Sequence, residues 1–142
     1  MISVTFTPTA KGVRTAAVSI ADGGGGSPQT ISLTGSGTVV SVTPSSLNFG
    51  SQQVGTISPG MLISVTNLGA TTLNITGINI TGINSTDFIQ TNSCGTRLPA
   101  GGTCSIIVNF IPTKTGTRTA SVNVNDDGGG SPQTVRLSGT GT

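Results

Sequence analysis

Residues 106–142 read IIVNFIPTKTGTRTASVNVNDDGGGSPQTVRLSGTGT, and residues 2–38 read ISVTFTPTAKGVRTAAVSIADGGGGSPQTISLTGSGT. The two stretches align without a gap at an offset of 104, with 22 of 37 positions identical. In the second copy Ile106, Val108 and Phe110 alternate with other residues, as do Ala120, Val122 and Val124, and then Val135 and Leu137. That is the period of a strand with one face turned to a core. The first copy repeats the pattern with Val4 and Phe6, then Ala16, Val18 and Ile20, then Ile31 and Leu33. Between the last two segments of each copy stands the same turn, GGGSPQT at Gly24–Thr30 and Gly128–Thr134, rich in residues that tolerate tight backbone bends.

A period near 104 residues suits a whole immunoglobulin-like domain and is too long for a small solenoid repeat. It divides the chain into one complete repeat, residues 39–142, and the C-terminal third of a preceding repeat of the same type, residues 1–38. The complete repeat opens with Val40 and Val42, is broken by Pro44, and resumes at Leu47 and Phe49, as expected of an edge strand that changes sheets. Ile63 and Val65 mark the next strand. Leu73 and Ile75 mark another, whose phase shifts at Gly77 in the manner of a bulge. Phe88-Ile89-Gln90 is a short strand ahead of the repeated stretch. Seven or eight short strands result, the pattern of an all-β, two-sheet sandwich. The preceding piece is expected to supply three strands, 2–7, 15–21 and 30–34. They lack an opposing sheet of their own, so they need completion by upstream sequence or by another chain, as in strand complementation.

Composition narrows the function. Gly, Ser, Thr and Asn make up about half the chain, charged residues 7%, and His, Trp, Tyr and Glu are absent. The net charge of +2 comes from scattered Lys and Arg, without the basic face or stacking rings of a nucleic-acid binder. No apolar run reaches the roughly 20 residues of a membrane-spanning helix. Met1 leads straight into an alternating segment with no signal peptide, which is expected of an internal piece of a longer or processed protein. Catalysis has little to work with: Ser and Thr have no evident base, so no catalytic residue is assigned.

Cys94 and Cys104, the only cysteines, read as a disulfide, with buried free thiols as the alternative; a metal site would need further ligands. Asp126-Asp127-Gly128-Gly129-Gly130 could suit calcium, but its spacing is not that of an EF-hand, and the other copy carries Gly23 in place of Asp127. No metal or other cofactor is therefore expected. Asn74, Asn79 and Asn84 begin glycosylation sequons of a kind that arise by chance in so Asn- and Thr-rich a chain. Arg14 and Arg118, equivalent in the two copies, read as solvated or sheet-face arginines.

Leu47-Asn48-Phe49-Gly50 with Val54-Gly55 resembles the start of a choice-of-anchor D repeat. Val65-Thr66-Asn67-Leu68-Gly69, Cys94-Gly95, Gly102-Thr103-Cys104, Phe110-Ile111-Pro112 and Ser131-Pro132-Gln133-Thr134 continue the resemblance. These bacterial surface repeats are similar to the immunoglobulin-like domains of abnormal-spindle, hydin and major sperm proteins. The resemblance implies tandem arrays in exported proteins at the cell surface, without catalytic residues. The expected function is therefore a spacer, stalk or self-assembling filament whose partners are neighbouring repeats or copies of itself. An adhesive or carbohydrate-binding role through the sandwich loops is the alternative.

Overall fold

The computed structural model describes residues 1–8 and 10–142; Thr9, the counterpart of Thr113, lies outside the described residues. In chain order the strands are β1 (Gly12–Ile20), β2 (Gln29–Gly37), β3 (Val40–Thr43), β4 (Ser46–Gln52), β5 (Met61–Asn67) and β6 (Leu73–Thr81). They continue with β7 (Phe88–Asn92), β8 (Arg97–Leu98), β9 (Thr103–Phe110), β10 (Gly116–Asp126) and β11 (Gln133–Gly141). Helical content among the described residues is a single 3-10 turn, Ser85–Asp87.

Strands β3 to β11 form two sheets, in the orders β4-β11-β10-β6-β8 and β3-β5-β9-β7. Pro44 separates β3, which pairs with β5, from β4, which crosses to the other sheet and runs parallel to β11. The ladder between β6 and β10 slips where Asn125 faces Gly77 and Asp126 faces Ile75, which is the bulge that Gly77 signalled. Nine strands stand where seven or eight were expected. The break at Pro44 makes two strands of one, and β8 is too short to show a period.

Alternation decides which side chains meet between the sheets. Ile63 and Val65 on β5, with Ile106, Val108 and Phe110 on β9, face Val122 and Val124 on β10 and Val135 and Leu137 on β11. All nine are buried, each contributing about 1.5–3 kcal/mol of transfer free energy. Phe49 on β4 is half-buried and packs against this cluster. Asn67 ends β5 inside the fold, its amide donating to the carbonyl oxygens of Thr71 at 2.8 Å and Leu98 at 3.0 Å while Oδ1 accepts from the Gly69 amide. This satisfied polar group fixes the turn that leads to β6.

The N-terminal piece differs from expectation. Strands β1 and β2 form an antiparallel hairpin, but residues 2–8 adopt no strand. The reason is local: the equivalent strand β9 is held by ladders to β5 and β7 on either side, and residues 2–7 have neither neighbour. The expected packing residues here are likewise uncovered. Val4 and Phe6 are exposed, and Val18, Ile20 and Leu33 are half-buried.

Cys94, in the loop after β7, is bonded to Cys104 on β9, closing a separation of 10 residues. Loop-closure entropy gives so short a link at most about 3 kcal/mol. Reduction should therefore lower the urea midpoint of the sandwich without unfolding it at room temperature. A midpoint unmoved by reductant would show that the link adds nothing to stability.

Candidate interaction surfaces

One end of the sandwich is closed by a charge pair and three rings. The turn Ser85–Asp87 carries Asp87 into the interior, where it is fully buried. The Arg118 Nε on β10 donates to one carboxylate oxygen. The Thr113 hydroxyl donates to the other at 2.7 Å, joined by the Thr113 amide at 3.3 Å. Burial alone would raise this carboxyl, but Thr113 and Arg118 together hold it below the ordinary aspartate value. The Ile111 amide donates to the Asp87 carbonyl at 2.7 Å, tying the turn to the end of β9. Beside the pair, Phe88 stacks on Phe110 at 4.8 Å, and Phe49 lies 5.8 Å from both. Of the two roles its sequence context suggested, solvated or sheet-face, Arg118 takes the second: it stands on β10 with its side chain largely buried and paired to Asp87.

The hairpin presents the same surface without its cover. Its register, Gly12 opposite Gly37 through Ile20 opposite Gln29, matches that of β10 and β11, Gly116 opposite Gly141 through Val124 opposite Gln133, position for position at the repeat offset. Phe6 lies on Gly35 so closely that a Cβ there would stand 2.8 Å from the ring; Phe110 lies on Gly139 in the same way, at 2.5 Å. The difference is what lies above. Val4 and Phe6 are 54% and 50% exposed, whereas Val108 and Phe110 are at 0%. Val4, Phe6, Arg14, Ala16, Leu33 and Gly35 line an open groove of about 390 Å³.

A second surface joins the hairpin to the sandwich. The turn after β10 sits against the base of the hairpin, where the Lys11 Nζ donates to the Asp127 carbonyl and the Val39 amide to the Gly128 carbonyl, both at 2.9 Å. Gly129, at φ +88°, is so close that a Cβ would lie 2.3 Å from the Gly37 carbonyl oxygen, so only glycine serves there. In the equivalent turn nothing lies within 4 Å of a Cβ built on Gly25 or Gly26. The acids of the occupied turn are engaged within the fold. The Gly128 amide donates to Asp126 at 2.7 Å, and the Asn74 amide and side chain donate to the two oxygens of Asp127. Burial pushes the Asp126 carboxyl up, and the Asn74 bonds hold Asp127 down. Asn74 and Asn84, two of the sequon asparagines, use their side chains structurally, Asn84 accepting from the Thr119 amide at 2.9 Å.

Two antiparallel-dominated sheets packed face to face and closed by a buried pair, preceded by a half-covered hairpin, define an immunoglobulin-like module of structural or interaction type. The HYDIN/CFA65/VesB-like Ig-like domain model matches residues 38–140, and the chain belongs to that family. No curated protein matches the chain in sequence. Among solved structures, PapD-like domain 7 of human CEP192 superposes with a TM-score of 0.53 at 16% identity, over 74% of this chain and 86% of that one. A Porphyromonas gingivalis W83 protein of unknown function gives 0.60 at 12%, over 94% and 68%. The secreted serine protease VesC of Vibrio cholerae gives 0.50 at 17%, over 66% of this chain and only 21% of that one. At such identities the likeness is one of fold. The choice-of-anchor D resemblance is thus met at the coarser level of an immunoglobulin-like family.

Proposed function

We propose that the chain is a non-catalytic structural module of an exported tandem-repeat protein. In this reading residues 1–38 are the C-terminal third of one repeat, residues 39–142 are the next, and its partners are neighbouring repeats. The observation that carries it is the hairpin β1–β2, which shares register and glycine contacts with β10–β11 yet has its apolar face only half covered. Val4, Phe6 and Leu33, which line the open groove, belong in a closed core, because leaving such side chains wet forgoes roughly 1.5–3 kcal/mol each. The glycine-fitted joint with β2 supports a spacer with defined geometry between repeats. The Cys94–Cys104 bond supports export, since such bonds persist in oxidising compartments. A bacterial cell surface is the setting the repeat resemblance favours.

The test uses the repeat offset. Residues 39–105 joined directly ahead of Ile2 restore an unbroken repeat in front of the existing one. The expected product is a monomer in which the amides of residues 2–7 exchange as slowly as those of residues 106–111. Rapid exchange at residues 2–7 in that protein would overturn the reading.

A further inference from the structure

We propose that the groove on the N-terminal hairpin is a receptor for an aspartate–phenylalanine pair, with the carboxylate on Arg14 and the ring on Phe6. The proposal rests on the reading of residues 1–38 as the tail of a repeat and names the group that must cover it. Four phenylalanines occur in the chain. Three of them, Phe49, Phe88 and Phe110, form the closing cluster of the complete sandwich. Phe6 is the fourth, in the position of Phe110, with one face on Gly35 and the other open to the groove.

The charge gives the groove its selectivity. Arg14 stands where Arg118 meets Asp87, but among the described residues the one ion pair is Arg118 with Asp87. Covering the hairpin with an apolar sheet alone would bury a guanidinium without a partner, which is strongly unfavourable. Whatever closes this face therefore brings an anion to Arg14, at a spacing that also sets a ring on Phe6. Asp87 and Phe88 meet both requirements at adjacent positions, because the 3-10 turn delivers the acid and β7 begins at the ring. A second folded copy cannot offer that pair, since its own Asp87 is fully buried and held by Arg118 and Thr113. The occupant is the corresponding turn of the same repeat, contributed from upstream in the polypeptide.

The experiment uses the protein extended by residues 39–105 ahead of Ile2, with its C-terminal repeat as internal control. Arg14→Gln, and separately Asp87→Asn in the added segment, should each lower the folding equilibrium of the N-terminal repeat by about 100-fold or more, as for a broken buried pair. Arg14→Lys should retain part of it. The double variant should lose little beyond the worse single variant. Protection at residues 106–111 should stay unchanged throughout. If the extended protein protects residues 2–7 but Arg14→Gln shifts its stability by less than about threefold, Arg14 is a surface residue; the receptor is then refuted and the repeat reading stands. If residues 2–7 stay unprotected in the unsubstituted protein, both fall. If the chain without the extension dimerises and Arg14→Gln abolishes the dimer while protection at residues 106–111 is kept, the anion comes from a second copy and the assignment to upstream sequence is overturned.

Discussion

Arg118→Ala should destabilise the sandwich by about 3–5 kcal/mol, because it leaves the carboxylate of Asp87 buried with only Thr113 as a partner. The arginine side chain keeps 16% of its surface in water and the aspartate none, so removing the cation is the more damaging half of the exchange. Replacing both residues by apolar side chains of similar volume should restore much of the loss, since a buried pair specifies geometry more than it adds stability. Acid provides an independent reading. In the native protein the folded carboxyl lies below its ordinary value of 3.8, so the unfolded chain binds more protons wherever the two differ. Stability therefore rises with pH through that interval, is fully present above about pH 4, and is lost as pH falls through the folded value. In Arg118→Ala only the Thr113 bonds still oppose burial, so the carboxyl moves up and stability should rise less steeply with pH than in the native protein. Urea midpoints from pH 7 down to pH 3 for both proteins check this. Parallel pH curves would show that the pair is not what couples Asp87 to folding.

The architecture was legible where strands are long enough to show a period. Ile63 and Val65, Ile106 to Phe110, and Val122 to Leu137 alternate because each has one face in the core. Pro44 and Gly77 betray a change of sheet and a bulge through backbone chemistry that only those residue types signal so strongly. The closing site was much less legible. Asp87 reads as one more polar residue in a loop, and its partner lies 31 positions away on another strand. A carboxylate's burial depends on tertiary contacts that no local pattern carries. The signal available was scarcity: four acids in the chain, one of them directly ahead of a phenylalanine. Asn67 was equally silent, its role visible only once Leu98 arrives beside it. The reading of residues 2–7 as a strand failed for a related reason. Alternation reports that a segment suits a ladder, and the ladder itself requires neighbours.

Phe110→Ala and Phe6→Ala should show how far a residue's contribution is set by what covers it. Phe110 is fully buried, stacks on Phe88 at 4.8 Å and seals Gly139, so truncation removes a ring and opens a cavity between the sheets. The expected cost is about 3–5 kcal/mol. Phe6 occupies the equivalent position, with Gly35 beneath it as Gly139 lies beneath Phe110, but half its surface is in water and among the described residues no ring faces it. In the chain as it stands its truncation should change stability by no more than about 0.5 kcal/mol, the range of ordinary surface substitutions. Placing residues 39–105 ahead of Ile2 should raise that figure toward the Phe110 value, because the added segment carries the counterparts of Phe49 and Phe88. Urea denaturation of the four proteins measures both differences. If Phe6→Ala stayed near zero in the extended protein, the hairpin face would not be half of a sandwich, and the match in register between β1–β2 and β10–β11 would be a likeness of local hairpin geometry alone.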